Sequence, residues 1–141
     1  MQVIGFNLTK ILSERKKAPE GKIEVKSNIN ITSIAEEKLD LLKDKEVLKF
    51  SFEFSVDYSP NIAVISFEGF ILAIVEKEKM KDILKKWKTK KLVDEARIPL
   101  FNLILTKCSL KALQFEEEFN LPPHIPLPKV SQQQNNQGYV Q

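Results

Sequence analysis

The feature that most constrains the fold is the stretch 48–75, in which two strand-like runs are separated by Ser59-Pro60-Asn61. In the first run apolar residues alternate with polar or charged ones, which is the period of a half-buried β-strand. The second run starts at Ile62 and becomes apolar on both faces from Phe70 to Val75. The stretch therefore predicts a hairpin in which one apolar face packs on the chain's own helices and the other needs a partner.

The rest of the chain predicts two strands before this hairpin and two helices after it. Alternation predicts strands over 3–12 and 22–32, joined by a charged loop, and residues 33–46 are a charged connector. Apolar residues at helical spacing predict an amphipathic helix from about Lys77 and a second helix from about Pro99. The predicted fold class is α+β, a four-stranded antiparallel sheet followed by helices packed on one face.

Three residue-level expectations refine these predicted elements. Gly69 inside the fourth strand predicts a bulge or a close backbone approach. Ser109 could cap a separate helix, so a break in the second helix is left open. The apolar face expected for that helix consists of Phe101, Ile104, Leu105, Cys108, Ala112, Phe115 and Phe119.

The end of the chain differs in composition from the rest. Residues 121–130 contain four of the seven prolines, which excludes a helix and predicts an extended strap on the body of the protein. Residues 131–141 carry no charged side chain and few apolar ones, which predicts a flexible tail. With 141 residues in total, we expect a single domain over 1–130 followed by this polar tail over 131–141.

The sequence offers no catalytic residue. It contains no phosphate-binding loop, no dinucleotide-binding glycine motif and no nucleophile elbow. Cys108, the one cysteine, is expected to be a core thiol, and His124, the one histidine, to pack or cap within the strap. The run Glu116–Glu118 is interpreted as a solvated face, because consecutive helical carboxylates point in different directions. We therefore predict no enzyme, no metal and no cofactor.

The free thiol and the character of the N-terminus bear on location. A single reduced cysteine suits the cytosol, and residues 1–10 lack the pattern of a signal peptide. No stretch has the roughly 18 consecutive apolar residues that a membrane-spanning helix needs. A cytoplasmic protein without membrane insertion is expected.

Positive charge is concentrated in residues 76–91, which contain eight lysines against three acidic residues in a chain of net charge +3. One interpretation is a solvated helix face, and the other is a surface for RNA phosphates or an acidic partner. Trp87 within this segment is interpreted as a core anchor. The basic loop after the first strand could extend the surface if it lies nearby. The candidate residues are Arg15, Lys16, Lys17, Lys81, Lys85, Lys86, Lys88, Lys90 and Lys91.

The aromatic-rich third strand allows three interpretations. Its apolar face could be plain core, a groove for an extended apolar polypeptide, or an interface between subunits. The residues predicted to form this peptide-binding or oligomer face are Phe50, Phe52, Phe54, Val56 and Tyr58.

The sequence resembles the SecB family of export chaperones over roughly residues 2–130. KIEVKSNINITSIAEEKL, EVLKFSFEFSV and AVISFEGFILAI are similar to the second to fourth SecB strands, including the charged connector. LPPHIPLPKV is similar to the short hydrophobic segment after the main SecB helix. The resemblance implies a four-stranded antiparallel sheet with helices on one side, assembly into a dimer of dimers, and holdase binding of non-native polypeptide in hydrophobic grooves.

Two functions follow as hypotheses. The first is an ATP-independent, SecB-like chaperone whose partners are non-native polypeptide and further copies of itself in a homo-oligomer. The second is an accessory protein of a ribonucleoprotein particle such as the ribosome, with rRNA and ribosomal proteins as partners of the lysine-rich helix.

Overall fold

The first 75 residues form one antiparallel sheet, and two helices follow it. A computed structural model describes residues 1–132. The strands are β1 (Gln2–Arg15), β2 (Glu24–Glu37), β3 (Glu46–Ser59) and β4 (Ala63–Val75), and the helices are α1 (Lys77–Trp87) and α2 (Asp94–Glu118). A short 3-10 turn, Asp40–Leu42, lies between β2 and β3. The strand order is β1-β4-β3-β2, so β1 and β2 are the two edges. This architecture confirms the predicted α+β fold class.

The core lies between the sheet and the two helices. The register of β3 and β4 places Phe54 opposite Phe67 and Val56 opposite Ile65 on one face, and all four side chains are fully buried. The Phe54 and Phe67 rings stack at 5.9 Å between centroids, and Phe115 of α2 packs on Phe67 at 6.1 Å. The broad apolar face of β3 is therefore covered by the chain's own helices.

Within residues 1–132, the opposite face of the sheet carries no helix and is only partly shielded. Phe70, Leu72 and Ile74 of β4 point to this side and are half-buried. The Lys49 ammonium lies 4.5 Å from the centre of the Phe70 ring, so the lysine stem covers part of this apolar surface. The prediction that the helices cover only one face of β4 is confirmed.

The strands are longer than alternation alone predicts. β1 extends to Arg15 because it pairs along nearly the whole of β4, and β2 takes in residues 33–37 of the expected connector. The polar ends of these strands are formed by cross-strand backbone hydrogen bonds, and side-chain alternation in the sequence does not reveal such pairing. Alternation predicts Ile4, Phe6 and Leu8 on one face of β1. However, β1 has register irregularities around Ile4 and Thr9, and Ile4 is exposed whereas Phe6 and Leu8 are half-buried.

Gly69 lies at a point of close backbone approach between β1 and β4. A Cβ atom added at Gly69 would overlap the backbone oxygen of Asn7 and would lie 3.0 Å from Cζ of Phe52. The close backbone approach predicted from this glycine is confirmed.

Helix α2 begins earlier than predicted and runs without a break through Ser109. Asp94 and Glu95 occupy its first turn, where carboxylates stabilise the positive end of the helix dipole, and Pro99 lies inside the helix. The proline removes one backbone donor near the exposed N-terminal end, where water can replace it.

The buried face of α2 also differs from the prediction. Its buried residues recur every four positions, so Leu105 points outward with 44% exposure and Glu116 points into the core with 2% exposure. The interpretation of Glu116 as part of a solvated face is wrong, although Glu117 and Glu118 are exposed. The buried positions are Ala96, Leu100, Ile104, Cys108, Ala112 and Glu116.

The Pro-rich strap leaves α2 at Phe119 and has no helix or strand within the described residues. Leu121 is buried, whereas Ile125 and Leu127 are exposed. The predicted flexible tail, 131–141, lies outside the described residues except for positions 131 and 132. No helix within residues 1–132 combines the length and the apolar character that crossing a membrane requires.

Candidate functional site

The predicted peptide or oligomer face of β3 is closed in the folded chain. Its five side chains have 0–2% exposure and belong to one core cluster with residues of both helices. A peptide or second subunit would need exposed apolar surface here, so the burial of these side chains favours plain core among the three interpretations. These residues are Phe50, Phe52, Phe54, Val56 and Tyr58.

A buried polar cluster, which we call the strap latch, fastens the strap to the body. It consists of Tyr58 on β3, Glu116 on α2, and Pro122 and His124 in the strap. His124 Nδ1 lies 2.7 Å from Oε2 of Glu116, and the His124 backbone N–H donates to Oε1 of Glu116 at 3.2 Å. The Tyr58 hydroxyl donates to the Pro122 carbonyl at 2.6 Å. These bonds satisfy polar groups that would be costly to bury alone.

The strap latch is structural in character. Burial, followed by the hydrogen bonding and charge of Glu116, raises the pKa of Tyr58 far above its usual range, so the hydroxyl stays protonated and keeps donating. The side chains of Glu116 and His124 are each 2% exposed, which leaves no route for a substrate to the His124 ring. The prediction that His124 packs within the strap is confirmed.

Cys108 is a core thiol, as predicted. It is 1% exposed, and burial raises the pKa of its thiol to about 11, so the reactive thiolate is scarce at neutral pH. Within residues 1–132, no group of three or more His, Cys, Asp or Glu side chains is arranged to hold a metal ion.

The best candidate site is a groove beside the edge strand β2, which we call the β2 groove. It encloses about 400 Å³ between β2 and the segment that connects α1 to α2. Its apolar lining is only half-buried, in contrast to the closed face of β3. The apolar lining residues are Ile29, Ile31, Trp87, Leu92 and Phe101.

The edge of β2 gives this groove a second property. β2 is 14 residues long and, in the part of the chain that the structure describes, pairs with β3 on one side only. Backbone N–H and C=O groups on its outer side are therefore free to pair with another extended chain. The groove thus combines free backbone hydrogen-bonding groups with an adjacent apolar surface, which is the arrangement that β-strand addition uses.

The polar rim of the β2 groove is basic. The Lys90 ammonium lies 4.8 Å from the centre of the Trp87 ring, and the Arg97 guanidinium lies 5.7 Å from the centre of the Phe101 ring. Arg97 also donates two hydrogen bonds to Oδ1 of Asp94, at 2.9 and 3.1 Å. Cations over aromatic faces hold both rings in place while leaving charge at the mouth of the groove.

The predicted basic residues do not form one surface. Arg15 donates to the Phe119 carbonyl at 3.2 Å, and Lys16 donates to Oδ1 of Asn61, so both lie on the side of edge strand β1. Helix α1 packs on β2 and β3, at the other edge of the sheet. The condition under which Arg15, Lys16 and Lys17 would extend the lysine-rich surface is therefore not met.

The lysines of α1 and its connector are all solvent-exposed, and Lys86 pairs with Asp82 at 3.3 Å. Lys90 lines the β2 groove itself, and its neighbours Lys88 and Lys91 lie in the same connecting turn. The exposed group consists of Lys81, Lys85, Lys86, Lys88, Lys90 and Lys91.

Sequence reasoning missed the β2 groove as a site. The expectation that Trp87 is a core anchor holds in part, since Trp87 packs against the core but is only half-buried and lines the groove. Ile29, Ile31, Leu92 and Phe101 carry no mark in the sequence that distinguishes them from other apolar residues. The sequence carries an indirect signal for the groove, since a tryptophan followed by several lysines favours an aromatic side chain that is only partly buried. What makes the groove is the position of β2 at the sheet edge, and strand order cannot be read from alternation.

The sheet order and the two helices on one face define a SecB-like α+β fold. Among solved structures, the chain is similar to Mycobacterium tuberculosis Rv1957, a SecB-like chaperone in complex with a ChAD peptide from the Rv1956 HigA1 antitoxin. The TM-score is 0.51 and the sequence identity 13%, over 92% of this chain and 90% of that chain. No protein-family model and no curated protein matches the sequence. The likeness is therefore one of fold.

Proposed function

We propose that this protein is a non-catalytic, ATP-independent chaperone that holds non-native polypeptide in the β2 groove. The observation that carries the proposal is the open edge of β2 beside five half-buried apolar residues. The fold supports it, because a protein of the same fold is described as a chaperone in complex with a peptide.

Strand addition at β2 would suit clients of many sequences. Backbone hydrogen bonds to the edge strand need no particular side chain, and alternate client side chains would face the apolar lining around Trp87 and Phe101. A folded client hides both its backbone and its apolar residues, so the groove would select the unfolded form. Because only the unfolded client would bind, folding of the client would release it from the groove by mass action.

The double substitution Ile29→Thr and Ile31→Thr tests this proposal. Threonine keeps the β-branched shape that suits a strand but removes apolar contact from the groove floor. We expect an apolar, strand-forming peptide to bind the variant about tenfold more weakly, since about 1.4 kcal/mol of lost contact is one order of magnitude. Fluorescence of Trp87, the only tryptophan, reports binding directly, and light scattering of a client diluted from denaturant reports holdase activity.

The matched control is Leu41→Thr, since Leu41 is 96% exposed in the turn between β2 and β3. It should bind and suppress aggregation like the unmodified protein. Equal peptide affinity in the double variant and the control would show that the β2 groove is not the binding site.

We also propose self-association through the side of the molecule opposite the β2 groove. The Lys107 ammonium lies 5.8 Å from the centre of the Phe6 ring, which places this side of α2 next to β1. Leu110 follows one turn later on α2 with 63% exposure, and Ile11 of β1 has 48% exposure. An open edge strand beside exposed apolar residues is a surface that a second copy could cover.

Leu110→Glu tests the self-association. A carboxylate cannot be buried at an apolar interface without a large cost, so we expect the oligomer to dissociate to monomer at micromolar concentration. Sedimentation equilibrium measures the mass, and Leu41→Glu, which adds the same charge at the exposed turn, should leave the mass unchanged. A monomeric unmodified protein would contradict the proposal outright.

A further inference from the structure

We infer that the β2 groove prefers apolar polypeptide segments that are flanked by acidic residues. This inference rests on the proposed function and adds the chemistry of the client. Two cationic side chains, Lys90 and Arg97, line the groove, and no acidic side chain is among its lining residues. A client with carboxylates beside its apolar segment would therefore meet complementary charge at the groove mouth.

Lys90 is the cation best placed to act on a client. The Arg97 guanidinium is already matched by the Asp94 carboxylate, through hydrogen bonds of 2.9 and 3.1 Å. Lys90 has no ion-pair partner among the described residues and projects over Trp87 at the groove. Its charge is thus available to a carboxylate that enters beside an apolar client side chain.

The backbone at Lys90 gives a second, independent observation. Lys90 has φ of 61°, the left-handed conformation in which glycine is the usual residue after a helix. Its N–H donates to the Trp87 carbonyl at 2.8 Å, and its ammonium lies 4.8 Å from the centre of the Trp87 ring. A lysine in a conformation that costs a non-glycine residue about 1 kcal/mol is consistent with a role for its side chain.

The surrounding charge adds to this local field. The turn between α1 and α2 also carries Lys88 and Lys91, both exposed. Of the acidic residues nearby, Asp94 is engaged by Arg97 and Glu95 by Lys79 at 2.7 Å. The positive potential around the groove mouth is therefore only partly compensated by the chain itself.

Three peptides that share one apolar, strand-forming core and differ only in their flanks test the inference. The flanks are two glutamates, two glutamines or two lysines on each side. We expect the glutamate-flanked peptide to bind about tenfold more tightly than the lysine-flanked one at 50 mM salt, with the difference falling to about twofold at 500 mM as the charges are screened. Trp87 fluorescence measures all three affinities.

The variant pair Lys88→Gln with Lys90→Gln should remove most of the preference, measured as the ratio of the affinities for the glutamate-flanked and lysine-flanked peptides. Lys43→Gln, an exposed lysine of the β2–β3 connection, is the charge control and should keep the preference. Equal binding of the three peptides to the unmodified protein would overturn the charge preference while the proposed function stands. Binding of none of them would overturn the proposed function itself.

Competition by a single-stranded RNA oligonucleotide tests whether the groove binds nucleic acid instead. We expect it to compete poorly with the glutamate-flanked peptide, because an extended peptide can form backbone hydrogen bonds with the edge of β2 and a nucleotide backbone cannot. Displacement of the peptide by lower concentrations of RNA, abolished by the Lys88 and Lys90 substitutions, would make nucleic acid the ligand and overturn the inference.

Discussion

Gly69→Ala is expected to destabilise the protein by about 3 kcal/mol, an overpacking cost at the upper end of the usual range. The added methyl group would overlap the backbone oxygen of Asn7, and a backbone atom cannot move without disturbing the pairing of β1 with β4. On the other side it meets Cζ of Phe52, which stacks on Phe6 at 5.3 Å. Urea unfolding followed by Trp87 fluorescence and circular dichroism measures the loss.

Gly5→Ala is the matched control in the same pair of strands. A Cβ atom there would lie 3.6 Å from Nδ2 of Asn7 and 3.8 Å from Leu72, which is ordinary van der Waals contact. Its free energy of unfolding should change by less than about 1 kcal/mol, because the loss of unfolded-state entropy favours alanine. If both variants unfolded at the same urea concentration, β1 and β4 would not approach at Gly69 as described.

Glu116→Ala should cost about 3 kcal/mol, the loss typical when one member of a buried polar pair is removed. The His124 backbone N–H and the His124 ring would both lose their partner in a place closed to water. The strap should then detach more often. Hydrogen exchange at the His124 amide is therefore expected to accelerate by at least the factor by which the loss of stability raises the equilibrium constant for opening. Urea unfolding and amide exchange measure the two effects separately.

Glu117→Ala removes the neighbouring carboxylate from the exposed side of α2 and should change the stability by less than about 0.5 kcal/mol. Glu116→Gln keeps one oxygen that can accept the His124 N–H, so it should lose less stability than Glu116→Ala. Identical stabilities of the Glu116 and Glu117 variants would mean that the strap latch does not hold the strap.

Three consecutive glutamates show why the strap latch was only partly predictable from the sequence. Helical spacing places consecutive carboxylates in different directions, and this geometry is correct for Glu117 and Glu118. It cannot say which direction faces the core, because that depends on how α2 is rotated on the sheet. The rotation brings Leu105 outward and Glu116 inward, where the strap supplies partners from eight residues further along the chain.

The local pattern of the chain determined its elements. Period-2 alternation in β3, the apolar run of β4, the helical stripe of α1 and the prolines of the strap each act through neighbours in sequence, so each is readable without a structure. The same local physics identified Gly69 as a point of close approach, although not the atom that it meets.

Only the tertiary structure decided which of these apolar surfaces meets solvent. β3 carries the larger apolar side chains, yet its inner position in the sheet and the two helices bury them completely. The smaller apolar side chains of β2 line the open groove, because strand order places β2 at an edge with unpaired backbone. Strand order arises from pairing between distant segments, and residue periodicity records only which face a side chain takes, not which strand lies beside it.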